Sequence, residues 1–188
     1  GCIAMVVVAD RYAGALDDYG FAQGDIGKAM VTFSDTRSAT RVAVGYDEAS
    51  AIQEAVAVHD EKKAKFKEYM EVVGAEWANQ KEQEPYDNVM AILEQYWNID
   101  TTAISLGKSG DIEQSKEAQK MTSEQLDPMY DEIYGNLAAL MDIKVNEGNS
   151  LSNTLRILSI ILIIAIVVIV LAAILISTKM GVNIAKGI

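Results

Sequence analysis

The chain has 188 residues, with 16 Lys and Arg against 27 Asp and Glu, a net charge of −11, one Cys and one His. This balance excludes a nucleic-acid surface, which needs positive charge, and a single cysteine excludes an internal disulfide framework and a multi-cysteine metal site. The lone histidine leaves no Glu-x-x-His pair for a helical di-metal centre, since Val56 stands three residues before His59.

The first residues, GCIAMVVVA, are apolar until Asp10 and Arg11. Residues 1–11 read as the outer end of a first transmembrane helix, with Cys2 facing lipid; an acylated Cys2 of a lipoprotein is the rival reading. Residues 12–156 are rich in Ala, Glu, Lys, Gln, Met and Leu, and contain the only prolines, Pro85 and Pro128. These are helix formers, so the expected fold class is all-α. Punctuation at Gly45-Tyr46-Asp47, at Asn79 to Pro85 and at Gly107 to Asp111 cuts the region into four segments.

In the first segment Ile26, Met30, Phe33, Arg37, Thr40 and Val44 form a heptad seam. In the second, Ile52, Val56, His59, Lys63, Phe66, Met70, Val73 and Trp77 repeat it. The third offers Tyr86, Met90, Leu93, Trp97, Asp100 and Ile104, with Pro85 expected in its first turn. The fourth offers Leu126, Met129, Ile133, Leu137 and Leu140, with a bend expected at Pro128. Four seams with short connections predict an antiparallel up-down-up-down four-helix bundle whose two ends meet one membrane.

Residues 157–178 run for 22 positions without a charge, between Arg156 and Lys179. About 20 apolar residues match the bilayer's hydrocarbon thickness, so this segment is expected to cross it. The tail KMGVNIAKGI carries two lysines and no acid, whereas residues 1–156 carry 14 basic and 27 acidic groups, a net −13. The positive-inside tendency places the tail in the cytoplasm and the acidic bundle outside.

Polar residues on the seams are the candidate ligand contacts. Arg37 occupies a position where an aliphatic residue is expected, and a guanidinium there needs an anion: a ligand carboxylate held bidentately, an acid of another helix such as Asp100, or a snorkelling path to solvent. Arg41 lies one turn on, and Thr40 offers a hydroxyl. His59, Lys63 and Asp100 interrupt their seams at a similar height, and Tyr96, Trp97, Thr101 and Thr102 could supply aromatic walls and hydroxyls. Each also has a plain reading, as a satisfied core residue or a solvated face. Gln119 and Thr122 of the fourth segment could reach the same level, or face solvent or a dimer partner. No nucleophilic or phosphoryl chemistry is indicated.

An apolar stub, a helix over Gln23 to Tyr46, a long last helix starting at Gly110-Asp111, an apolar span and the tail KMGVNIAKGI together resemble the four-helix-bundle sensor region of bacterial methyl-accepting chemotaxis proteins. The resemblance implies a homodimer in the bacterial inner membrane, an extracytoplasmic sensor over 12–156, a second span over 157–178, and the opening of a HAMP linker over 179–188. It also implies a small ligand, an organic acid or amino acid, held by Arg37, Arg41, His59, Tyr96, Asp100 and Thr101, no cofactor, no catalysis, and signalling to a cytoplasmic kinase and adaptor through regions outside these residues. The same input bundle could serve a membrane histidine kinase or nucleotide cyclase, or a scaffold without a small ligand.

Overall fold

A computed structural model describes residues 22–75 and 80–186, and these are helical apart from the short turns between elements. The helices are α1 (Ala22–Gly45), α2 (Ala49–Ala75), α3 (Gln80–Gly107), α4 (Ile112–Met121), a π-helical turn (Thr122–Leu126) and α5 (Asp127–Lys186). The chain divides into two compact units, Asp18–Asn146 and a second made of Gly1–Asp17 with Glu147–Ile188. The expected first transmembrane stub, Cys2 and Trp77 lie outside the described residues.

Asp18–Asn146 is an antiparallel four-helix bundle. Phe33 of α1 meets Phe66 of α2, Phe66 meets Trp97 of α3, and Phe33 stacks on Tyr130 of α5. Arg37 reaches Asp127 while Gln23 reaches the Lys144 carbonyl, so α1 and α5 run in opposite directions. Turn chemistry explains the two upper connections. Tyr46 donates its backbone N–H to the Val42 carbonyl as α1 ends. After α3, Gly110 takes φ of 75°, the left-handed region that glycine enters without Cβ strain, and Asp111 caps α4 by accepting from the backbone N–H groups of Glu113 and Gln114.

The core is layered. Ala43, Ala55 and Ile104 form a small layer at the end bearing these turns. An aromatic layer of Phe33, Phe66, Tyr96, Trp97 and Tyr130 occupies the middle, and Ile26, Val73 and Leu140 close the other end. At the first end Gly107 lets α3 touch α1: a Cβ there would sit 2.8 Å from both the Ala43 carbonyl oxygen and Val44 Cα. Because backbone rather than a flexible side chain would have to yield, Gly107→Ala is expected to cost about 1–3 kcal/mol. Thermal unfolding of the full chain in detergent, followed by circular dichroism, checks this.

Three sequence expectations need correction. Gln80 to Glu84, expected as part of the connection before Pro85, are already helical, because Lys, Glu and Gln are strong helix formers; α3 is described from Gln80, and Pro85 lies inside it beyond the first turn. The inward face of α3 is wider than the expected seam: Leu93, Trp97, Asp100 and Ile104 are buried as the spacing predicts, and Met90 is the position that departs. Met90 is 43% exposed, whereas Val89 and Tyr96 are buried, because Glu82, Val89, Leu93, Tyr96, Asp100 and Ala103 complete an inward 3–4 pattern. Finally, the irregularity attributed to Pro128 appears one turn earlier. Proline has no N–H and its ring crowds the carbonyl four residues back. The chain answers by widening the preceding turn, where the Asp127 N–H bonds the Thr122 carbonyl in a π pattern.

In the second unit, residues 147–186 belong to α5, and leucine, isoleucine and valine side chains from Ile157 to Ile174, and that of Ile176, are largely exposed. An 18-residue window has mean hydropathy 3.6 with none of it buried. In length and composition this helix can cross a membrane.

Candidate ligand site

The seam polar residues sort into two clusters in the bundle. The first is a clasp between α1 and the start of α5. Arg37 donates Nε and Nη2 to Asp127 Oδ1 at 3.1 and 2.9 Å, and Arg41 Nη2 reaches both Asp127 oxygens at 3.0 Å. The Arg37 guanidinium also lies 4.1 Å from the Tyr130 ring centroid, a cation–π contact. The Arg37 and Asp127 side chains are each 26% exposed and that of Arg41 is 51% exposed. Arg37 is therefore at the bundle's edge, and its acid is Asp127 rather than Asp100. Burial opposes the Arg37 charge, and the hydrogen bond and charge of Asp127 outweigh it.

The second cluster is fully internal and joins three helices. His59 Nε2 lies 2.6 Å from Asp100 Oδ2, and Thr40 donates to Asp100 Oδ1 at 2.7 Å. His59 Nδ1 lies 3.1 Å from the exposed Asp60. Both ring nitrogens thus face carboxylate oxygens, an arrangement that suits the doubly protonated imidazolium. Burial pushes the His59 pKa down, but Asp100 and then Asp60 more than offset this and the net shift is upward, with Lys63 pulling against them.

Tyr96 is 1% exposed and packs on Phe33 and Trp97. Its place is the aromatic layer. Thr101 is exposed and returns its hydroxyl to the Trp97 carbonyl of its own helix. So Arg37 and Arg41 come together, His59 and Asp100 come together, and Tyr96 and Thr101 join neither pair. Thr122 is buried at the π turn and Gln119 is exposed.

Sequence reasoning missed Asp127, which looks like any acid before a proline. It also missed the ion pair of Lys144 Nζ with Glu82 Oε2 at 2.7 Å, with side chains 2% and 0% exposed. That pair had a signal: Lys144 continues the seam of Leu137 and Leu140 at the next turn.

A model of a family described as a four-helix-bundle sensory module for signal transduction matches residues 23–156. The chain belongs to this family, the sensory modules of methyl-accepting chemotaxis proteins. Comparison with curated proteins and with solved structures gave no match. The module's matched range takes in both clusters, all four bundle helices and the π turn. Together with the long apolar helix, the match makes this chain a sensor region of a membrane-associated receptor.

Proposed function

We propose that this chain is the sensing and membrane-crossing part of a chemotaxis transducer for a small anionic solute. Residues 12–156 would face outward from the bacterial inner membrane, 157–178 would cross it, and 179–188 would open a HAMP linker to a cytoplasmic signalling domain. The observation that carries the reading is the clasp: Asp127, the residue where the π turn becomes α5, is held by two arginines of α1. An external carboxylate has the same chemistry as the Asp127 side chain and competes for the same forks. Its entry frees α5 beside a turn that stores one extra residue, and taking up or releasing that residue is worth about 1.5 Å along the helix. A ligand shifts this equilibrium only through its different affinity for the two arrangements. The reading includes a homodimer and no catalytic step.

The test is a thermal-shift panel of organic acids and amino acids on the full chain in nanodiscs, followed by calorimetry. An anionic hit is expected to lose about 10- to 100-fold in affinity in Arg37→Ala, the worth of charge-assisted hydrogen bonds at about 1.5–3 kcal/mol, with helicity kept. Unchanged affinity in both Arg37→Ala and Arg41→Ala sinks the assignment. The internal pairing of both arginines equally suits a scaffold that binds a protein and no solute; a panel without any stabilising anion favours that second reading.

A further inference from the structure

The internal cluster holds one more cation than its buried carboxylate needs. Asp100 is fully buried, accepts from Thr40 of α1 and lies 2.6 Å from His59 Nε2 of α2, so one carboxylate ties three helices. It can do so only while a cation faces it, because an unpaired charge sealed from water is costly. His59 supplies that cation when both ring nitrogens carry protons. Its two nitrogens differ in their access to water. Nε2 meets the fully buried Asp100, whereas Nδ1 lies 3.1 Å from Asp60, whose side chain is 73% exposed. The proton on Nδ1 is therefore the one that can leave, through Asp60, while Nε2–H goes on donating to Asp100.

The second cation stands one turn further along α2. The Lys63 ammonium lies over the Trp97 ring, 4.6 Å from its centroid, and makes no ion pair among the described residues. Lys63 is partly buried; burial pulls its pKa down and the charge of Asp100 opposes this, while Lys63 in turn works against the charge on His59. Two cations thus compete for one carboxylate. The remaining charges around them are accounted for. On α1, the charged residues nearest Thr40 in the chain are held elsewhere, Asp35 by Lys62 and both Arg37 and Arg41 by Asp127 of α5. On α3, the Tyr96 phenol one turn before Asp100 stays neutral, because burial raises its pKa.

We propose that this cluster is a proton-sensing site, in which solvent pH exchanges one cation for another on the buried Asp100 carboxylate. In the acid arrangement His59 is an imidazolium between Asp100 and Asp60, and Lys63 lies on Trp97. In the alkaline arrangement Nδ1 has passed its proton through Asp60 to water, the exposed Asp60 side chain turns away from the bare nitrogen, and the Lys63 ammonium leaves the indole and closes on Asp100. The exchange moves the α2–α3 ion pair one turn along α2. The proton is the ligand, and it shifts the population because it binds the first arrangement alone. Asp100 and Asp60 together outweigh burial and Lys63 at His59, so the exchange falls on the alkaline side of the ordinary histidine value of about 6.5. This input needs no solute and stands whether or not the arginine clasp binds one.

The chain has one histidine, so NMR of the full chain in nanodiscs, labelled in the histidine ring nitrogens and purified without a polyhistidine tag, reads His59 alone. One titration is expected between about pH 5 and 9, with its midpoint above about 6.5 and Nδ1 as the nitrogen that loses its proton. Carbon-labelled lysine gives the second readout, with Lys63 identified by the signal missing in Lys63→Arg. Protons held over an aromatic face resonate upfield, and the Lys63 ε-methylene is expected to lose that displacement at the His59 midpoint. In His59→Gln, neutral at every pH, the Lys63 signal is expected to keep its alkaline position throughout. Both titrations of the parent stand without that variant should it fold poorly. The proposal is overturned if His59 holds its proton to about pH 9 or loses it below about 6.5, if it titrates while Lys63 stays over the indole, or if the Lys63 signal of well-folded His59→Gln still moves with the same midpoint.

Discussion

Phe33→Ala is expected to remove about 3–5 kcal/mol of folding free energy from the full chain, the usual loss for truncating a buried aromatic residue. Phe33 is wholly buried and is the hub of the aromatic layer, with ring centroids at 5.0 Å from Phe66, 5.1 Å from Tyr96, 5.8 Å from Trp97 and 5.0 Å from Tyr130. Those four rings come from α2, α3 and α5, so one truncation loosens α1 from every helix of the middle layer. Domains are stable by only about 5–15 kcal/mol, and the variant should melt far below the parent. Chemical denaturation read by circular dichroism measures the loss; a value below about 1 kcal/mol would mean that the rings do not meet as described.

Asp100→Ala is expected to be comparably severe and to reverse a pH dependence. In the parent, Asp100 is fully buried and holds His59 charged, with its pKa raised above the ordinary value of about 6.5. A raised histidine contributes stability that is complete below that ordinary value and fades as pH climbs through the folded-state pKa. Without Asp100, His59 keeps burial and the charge of Lys63, both opposing protonation, against the hydrogen bond of exposed Asp60 alone. Its pKa then falls below the ordinary value, and the variant loses stability as pH drops from about 7 to 5. Breaking a buried pair by removing one partner costs about 3–5 kcal/mol where the other stays charged, and neutralising His59 makes the loss smaller at pH 8 than at pH 5. Melting curves between pH 5 and 8 test this; parallel parent and variant profiles would dismiss the His59–Asp100 linkage.

Most of the fold was legible because its signals are local and repeated. The first helix was expected at Gln23 to Tyr46 and spans Ala22–Gly45, since Gly45-Tyr46-Asp47 is a turn whatever packs around it. Gly110 and Asp111 mark the start of α4 by backbone freedom and capping, which one residue pair can show. In α3 the spacing picks out Leu93, Trp97, Asp100 and Ile104 correctly but takes Met90 in place of Val89, because the two are adjacent and both apolar and only the neighbouring helices decide which turns inward. The sequence signals a disturbance at Pro128 but not its form, a π turn over Thr122–Leu126, since proline's effect falls on residues before it. In the site, the oddity of Arg37 was visible but its partner was not: Asp127 is 90 residues away in sequence and one of 27 acids.

The buried Lys144–Glu82 contact sets a limit on travel. A helix greased only by leucine and isoleucine can slide past its neighbours with little opposition, whereas an ammonium sealed 2.7 Å from its carboxylate, 2% exposed, resists being dragged into hydrocarbon surroundings. A displacement of α5 of the kind the proposed function invokes would have to stay within reach of that contact, a fraction of a helical turn.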